Sequence, residues 1–217
     1  AAITFNSPLH YKFGTVGRAL PGVELKLAAD GEILVRSPMN LKEYYRDSKA
    51  QDSAFDGDFF KTGDIGQIDS DGFLTLTDRK KDLIKTAGGK YVAPQRLEGL
   101  LKRSPYISNV LIHGDQRKYI VSLITLNESA VTAWAKKNGV EHSDFKELTK
   151  SPEVQALVRD AVAEANLELA SFESIKKFAV LDRDFSIEKG EITPSLKVKR
   201  KVVDQIHSKL IDELYGD

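Results

Sequence analysis

Three short segments combine residue types in ways that could do chemistry. Phe60-Lys61-Thr62-Gly63-Asp64 sets a carboxylate directly after a glycine, just ahead of an apolar run. Such a carboxylate can accept two hydrogen bonds from a cis-diol, as in ribose, and it can equally cap the N–H groups of a local turn. The stretch from Asp78 to Lys90, DRKKDLIKTAGGK, joins a basic run to paired glycines. Arg79 could fork to anionic or hydroxyl oxygens, and glycine lets backbone approach a phosphate or a narrow ligand. The spacing is not that of a G-x-x-x-x-G-K-[ST] phosphate loop, so a solvated charged hinge followed by a glycine turn fits equally well. The third segment is KGEITPSLKVKRK, Lys189 to Lys201. If Ser195 caps a helix, Lys197, Lys199, Arg200 and Lys201 occupy its first turns against the helix dipole, at a cost of a few tenths of a kcal/mol each. That conflict points to a cation aimed at a phosphate or carboxylate, or to a solvated basic face.

The elements that position these residues follow from periodicity. Val23 to Leu27 alternates, Asp30-Gly31 turns, and Glu32 to Arg36 returns, a hairpin signal. Ile65 and Ile68, then Asp69-Ser70-Asp71-Gly72, then Phe73, Leu74 and Leu76 repeat it; the acidic turn lacks the spacing and closing Glu of a calcium loop. Leu41 to Ala54, with Tyr44 and Tyr45, reads as a short helix or a long excursion. From Pro94 the period changes to 3.6, with Leu97, Leu100 and Leu101 on one face of a helix ending at Ser104-Pro105. Val110 to Ile112 and Tyr119 to Leu126 form a third hairpin. Asn127 caps a helix that stops at Asn138-Gly139, and Ser151-Pro152 opens another that carries Val154, Val158 and Val162. A short strand from Phe178 to Leu181 and a final helix with Val202, Val203, Ile206, Leu210 and Leu214 complete the chain. The fold class is α+β: a β-hairpin-rich part up to about residue 78, then an α+β part from about residue 82, joined by the charged stretch Thr77 to Asp82.

Composition excludes several classes. The 217 residues carry 32 Lys+Arg against 32 Asp+Glu, are 41% hydrophobic and contain no Cys. Disulfide scaffolds and thiolate metal sites are ruled out, and the balanced charge argues against a dedicated nucleic-acid binder. No run is long and apolar enough for a membrane span. His10, His113, His142 and His207 are scattered, and G-x-S-x-G, H-E-x-x-H and G-x-G-x-x-G are absent, which disfavours hydrolase triads and zinc sites. The first residue is not Met, and Ala1 to Asn6 lacks a signal-peptide pattern, so the chain reads as cut from something longer.

Taken in order, the three segments resemble the carboxyl-terminal part of the AMP-forming adenylate synthetases, the superfamily of acyl-CoA synthetases, firefly luciferase and peptide-synthetase adenylation domains. The resemblance covers nearly the whole chain. FKTGD, TDRKKDLIKTAGGK and GEITPSLK are most similar to long-chain fatty acid CoA ligases. It implies that residues 1–80 are the β-rich end of a large adenylate-forming domain and that residues 81–217 are a mobile lid. It also implies a two-step reaction in which a fatty acid attacks the α-phosphate of Mg-ATP and the thiol of coenzyme A then displaces AMP. By carry-over, Asp64 holds the ribose hydroxyls and Arg79 assists at ribose and phosphate. Lys197 bridges the carboxylate and α-phosphate oxygens, and Lys81 is the hinge. Lys85, Gly88 and Gly89 belong to the thioesterification loop, with either glycine lining the thiol tunnel. The partners implied are fatty acid, ATP and coenzyme A, with no nucleic acid. Mg2+ is held mainly by upstream residues and no metal ligands fall in this stretch. The location implied is cytoplasmic, with peripheral membrane contact and oligomeric state left open. The phosphate loop, the Mg-binding Glu and the acyl pocket of the family all lie upstream of Ala1, so the chain alone is expected to give no turnover. Two alternatives share the residues named: another adenylate-forming ligase acting on aryl or medium-chain acids, and a stand-alone binding module using the cations from Lys197 to Lys201.

Overall fold

The computed structural model describes residues 2–41, 43, 47 and 53–216. Most of the excursion expected over Leu41 to Ala54, including Tyr44 and Tyr45, lies outside the described residues. The chain divides into two compact units between Leu83 and Ile84.

The first unit is built from antiparallel strands. β1 (Thr4–Phe5) pairs with β2 (Arg18–Ala19), and β3 (Glu24–Leu27) forms the expected hairpin with β4 (Glu32–Arg36). β5 (Phe55–Asp56), β6 (Phe59–Ile68) and β7 (Leu74–Arg79) extend the sheet in the order β3-β4-β6-β5, with β7 also on β6. The alternation read into β4 is not what forms, because its first four residues are all buried. That pattern suits a strand flanked by β3 and β6 and covered by Leu74 and Val23. β7 also runs further than the charged sequence suggested. Thr77, Asp78 and Arg79 are strand residues, Asp78 is buried, and the connection shortens to a 3-10 turn over Lys80–Asp82.

The second unit opens with the small hairpin β8 (Ile84–Lys85) and β9 (Tyr91–Val92), then α1 (Pro94–Leu101). β10 (Ile107–His113) and β11 (Ile120–Leu126) pair antiparallel as expected. After α2 (Glu128–Asn138), α3 (Phe145–Leu148) and α4 (Pro152–Leu167), β12 (Ile175–Val180) returns parallel to β11. The caps follow the sequence: Asn127 accepts from the Ala130 N–H, Gly139 is left-handed, and Ser151 accepts from the Val154 N–H. Every residue of β11 is buried because both sheet faces are covered. Val110, Ile120 and Ile124 pack with Leu97, Val131 and Val158 on one face, whereas Leu111 and Leu123 pack with Phe185, Ile192, Val203 and Ile211 on the other.

The final helix differs from expectation. Ser195 caps nothing; helix begins at Arg200, with Lys199 at its N-terminal boundary, and is broken into α5 (Arg200–Ile206) and α6 (Ser208–Tyr215). Lys197 therefore lies outside any helix dipole. Arg200, in the first turn, is neutralised instead. Its guanidinium donates to the Ile112 carbonyl at 2.8 Å and to Glu98 Oε1 at 2.9 Å, and Glu98 Oε1 also accepts from the Ile112 N–H at 3.0 Å. Burial raises the Glu98 pKa against the pull of Arg200, so the carboxylate depends on its partner. Arg200→Ala is expected to destabilise this unit by roughly 2–4 kcal/mol, because it strands a largely buried charge. Urea unfolding followed through Trp134, the single tryptophan, reads this unit directly; an unchanged midpoint would show that Glu98 is solvated.

Candidate active site

Asp64 and Arg79, far apart in sequence, are register partners on β6 and β7. Arg79 Nε lies 2.7 Å from Asp64 Oδ1, and the Asp64 side chain is 27% exposed. The second carboxylate oxygen accepts no hydrogen bond from the described residues, which leaves it free for an external donor. Gly63 makes this placement possible. Its φ of +70° admits no ordinary side chain cheaply, and the β4–β6 register shifts opposite it. The Thr62 hydroxyl locks the kink, donating to the Ile33 carbonyl at 2.7 Å and accepting from the Asp64 N–H at 3.1 Å.

Glu32, a residue that sequence reasoning treated only as strand, organises this corner. It is 4% exposed, and its Oε1 accepts from the Gly63 N–H at 3.0 Å. Its Oε2 lies 2.8 Å from Lys80 Nζ, which also reaches Asp30 Oδ2 at 2.7 Å. Asp30 first, then Glu32, raise the Lys80 pKa, and Lys80 lowers that of Asp30. The next residue, Lys81, is exposed in the 3-10 turn, and its amine engages no described residue. A polar residue following an Asp-Gly turn was the only sequence signal for Glu32.

In the second unit, Lys85 and Tyr91 are cross-strand partners that bracket Thr86 to Lys90. The Thr86 hydroxyl closes the turn by accepting from the Lys90 N–H at 3.2 Å, and the Gly89 N–H donates to the Thr86 carbonyl at 2.8 Å. The turn is tied down from outside: the Lys85 carbonyl accepts from Gln116, and the Ala87 N–H donates to Arg117. The two glycines are not equivalent. Gly89 has φ +75° and is demanded by the backbone, whereas Gly88 has an ordinary φ and a β-carbon there would meet nothing closer than Thr86 Oγ1 at 4.0 Å.

Lys197 stands on a tight exposed hairpin. Ile192 and Val198 form its bridge, and the Thr193 N–H donates to the Lys197 carbonyl at 2.8 Å. The Leu196 N–H donates to the Thr193 carbonyl at 2.8 Å, closing a turn with Pro194 at its second position. Thr193 Oγ1 accepts from the Lys197 N–H at 3.0 Å. Leu196 closes the loop at φ +60°, a conformation costing roughly 1–2 kcal/mol for a residue with a β-carbon. The Lys197 amine is exposed and engages no described residue. Below the hairpin, Glu191 is fully buried; Arg183 donates to both of its oxygens at 2.7 and 2.8 Å, and the Ser186 N–H donates at 3.0 Å. The Glu191 carbonyl in turn accepts from the Lys199 N–H at 2.7 Å. Asp184 fixes the same loop to the sheet by accepting from Ser108, Asn109, Thr125 and the Phe185 N–H. No hydrogen bond or ion pair joins the lysine hairpin to the glycine turn among the described residues. Neither the Arg183–Glu191 pair nor the Asp184 network had a spacing signal in the sequence.

No group of three His, Asp or Glu side chains that could hold a metal forms among the described residues. The residues present do not fit a Mg2+ site. No described helix is long and apolar enough to cross a membrane.

Residues 81–217 match the family described as AMP-binding enzyme C-terminal domain, and the chain belongs to that family. The long-chain-fatty-acid–CoA ligase FadD15 of Mycobacterium tuberculosis is 43% identical over 206 residues, which is 94% of this chain and 34% of that protein. Long-chain-fatty-acid–CoA ligase 6 of Rattus norvegicus is 34% identical over 231 residues, 100% of this chain and 33% of that protein. Among solved structures, O-succinylbenzoate coenzyme A synthetase (MenE) from Bacillus subtilis in complex with AMP superposes with a TM-score of 0.62. Its identity is 27%, covering 93% of this chain and 38% of that one. The chain thus spans about a third of the length of the curated relatives it matches.

The buried pair under the lysine hairpin has a pH signature. The hydrogen bonds from Arg183, outweighing desolvation, lower the Glu191 pKa below its unfolded value. Its stabilising contribution is therefore complete above the ordinary carboxylate range and is lost as pH falls through the lowered folded value. Glu191→Gln is expected to cost about 3 kcal/mol at neutral pH, and the difference from wild type should shrink on acidification. Urea midpoints read through Trp134 at neutral and acidic pH check this; a difference independent of pH would mean that Glu191 is not the titrating group.

Proposed function

We propose that this chain is the carboxyl-terminal part of a long-chain fatty acid CoA ligase. The complete enzyme activates a fatty acid with ATP to acyl-AMP and passes the acyl group to coenzyme A. In this reading residues 1–80 end the large adenylate-forming domain and residues 81–217 form a lid that turns about Lys81. The free Lys81 side chain beside the anchored Lys80 supports that placement of the hinge.

Asp64 receives the ribose hydroxyls on the oxygen that Arg79 leaves open, and Arg79 holds the carboxylate in place while lending positive charge toward the phosphate. Lys197 supplies the ammonium between the fatty acid carboxylate and the α-phosphate. There it neutralises charge that builds between two mutually repelling anions, and its fixed backbone removes the need to reorganise at the moment of reaction. The glycine turn serves the second half-reaction. Because Gly89 is required by its own backbone and Gly88 is not, Gly88 is the residue whose missing side chain leaves room for the pantetheine arm of coenzyme A. A cytoplasmic enzyme that collects fatty acid at membrane surfaces belongs to the same reading.

The observation that carries this reading is the unpaired, exposed Lys197 amine on a hairpin closed by the Thr193–Lys197 and Thr193–Leu196 hydrogen bonds and the Ile192–Val198 bridge. A non-specific basic surface fits less well, since Arg200 is already committed to Glu98. In the complete ligase, Lys197→Ala is expected to lower ATP–pyrophosphate exchange by 100-fold or more, roughly the loss of one charge-stabilising donor. Lys199→Ala should change it less than about threefold. Equal losses at both positions would contradict the catalytic assignment. Gly88→Val should slow thioester formation from coenzyme A about tenfold or more while exchange persists, and unaffected thioester formation would remove Gly88 from the thiol path.

A further inference from the structure

Leu196 sits where a smaller residue would be more stable. Its φ of +60° lies in the left-handed region, which glycine adopts freely and asparagine tolerates. Its side chain is 70% exposed, so packing within the unit does not compensate that strain. The surrounding contacts hold it there: the Leu196 N–H to the Thr193 carbonyl, the Lys197 N–H to Thr193 Oγ1, and the Ile192–Val198 bridge. Strain that the neighbouring structure enforces, in a side chain with no local packing role, is a pointer to function.

We propose that Leu196 is a positioning residue for Lys197, whose isobutyl group excludes water from the flank of the ammonium while it bridges carboxylate and α-phosphate. The inference rests on the reading of Lys197 given above and adds a residue to it. The attraction between an ammonium and two anions weakens steeply as water enters, and an apolar group one residue away is the simplest means of keeping it out. A hairpin built only for stability would carry glycine or asparagine at this position. One built to deliver a dry cation carries an apolar side chain and keeps the strain.

The test uses Leu196→Gly, Leu196→Asn and Leu196→Met. In the 217-residue chain the first two are expected to raise the Tm by about 2–4 °C, since they relieve the left-handed strain. In the complete ligase the same two should lower kcat for acyl-adenylate formation about tenfold, with KM for ATP and fatty acid changed less than about threefold. Leu196→Met, which keeps an apolar side chain, should restore kcat to within about twofold. Stability and activity moving in opposite directions is a signature that a purely structural residue does not give. Wild-type kcat in Leu196→Asn alongside an inactive Lys197→Ala overturns this inference and leaves the reading of Lys197 intact. Full adenylation by Lys197→Ala overturns both. A Leu196→Met enzyme as slow as Leu196→Asn also overturns it, because apolarity would then not be the property that matters.

Discussion

A carboxylate removed from water must be paired, or it costs several kcal/mol. Each unit of this protein sets one such group beneath its candidate site residues. In the second unit Glu191 is fully buried, and the fork of Arg183 satisfies both oxygens while the Glu191 backbone carries the far side of the Lys197 hairpin. In the first, Glu32 binds the Gly63 N–H on one oxygen and Lys80 on the other. The two residues proposed to meet the substrate anions and the ribose are therefore placed by side chains that touch neither. Loops that must present a charge to solvent cannot be held by their own packing, and a buried ion pair supplies directional anchoring at the loop base.

The anchors in turn depend on rigid elements. Arg183 and Asp184 sit just beyond β12, whose parallel pairing with β11 is possible only because the intervening helices carry the chain back across the sheet. Asp184 gathers four donors from β10, β11 and its own loop, so the descent from β12 to the hairpin begins at a fixed point. Burial would raise its pKa, and the hydrogen bonds, Ser108 foremost, hold it below the ordinary value instead. Arg200 performs the corresponding task on the other side of the hairpin by pinning the start of α5 to α1 and β10. Between these two fixtures the chain comes to the surface twice, at Ile187 to Lys189 and at the turn around Leu196 and Lys197. The lid motion proposed above is compatible with rigidity at the level of the hairpin.

Much of the scaffold was legible because local rules and tertiary structure agree there. Asp30-Gly31 and Asp69 to Gly72 turn as their φ requirements dictate, and the helix caps at Asn127 and Ser151 form where the hydrogen-bond chemistry places them. The α+β class followed from the change of period at Pro94. The failures have physical causes. β4 does not alternate because neighbours cover it, which no local pattern reveals. The last helix starts at Arg200 rather than after Ser195 because Thr193 uses the intervening residues for a hairpin; of the cations that seemed to oppose a dipole, Lys197 and Lys199 lie outside the helix and Arg200 is paired, which leaves Lys201 in the first turn. The candidate residues could be named from their types and order, but the side chains that hold them could not. Glu32, Asp184 and Glu191 find their partners through topology, and a carboxylate bound for burial looks in sequence like one bound for solvent.

The most direct test of the account separates the two half-reactions in one protein. Supplying preformed acyl-AMP and coenzyme A to the complete ligase carrying Lys197→Ala bypasses the step assigned to this lysine. The account predicts thioester formation at a rate close to wild type in an enzyme that no longer makes the adenylate itself. Loss of thioester formation in parallel with adenylation would show that Lys197 supports the structure of the whole lid rather than the charge of one transition state.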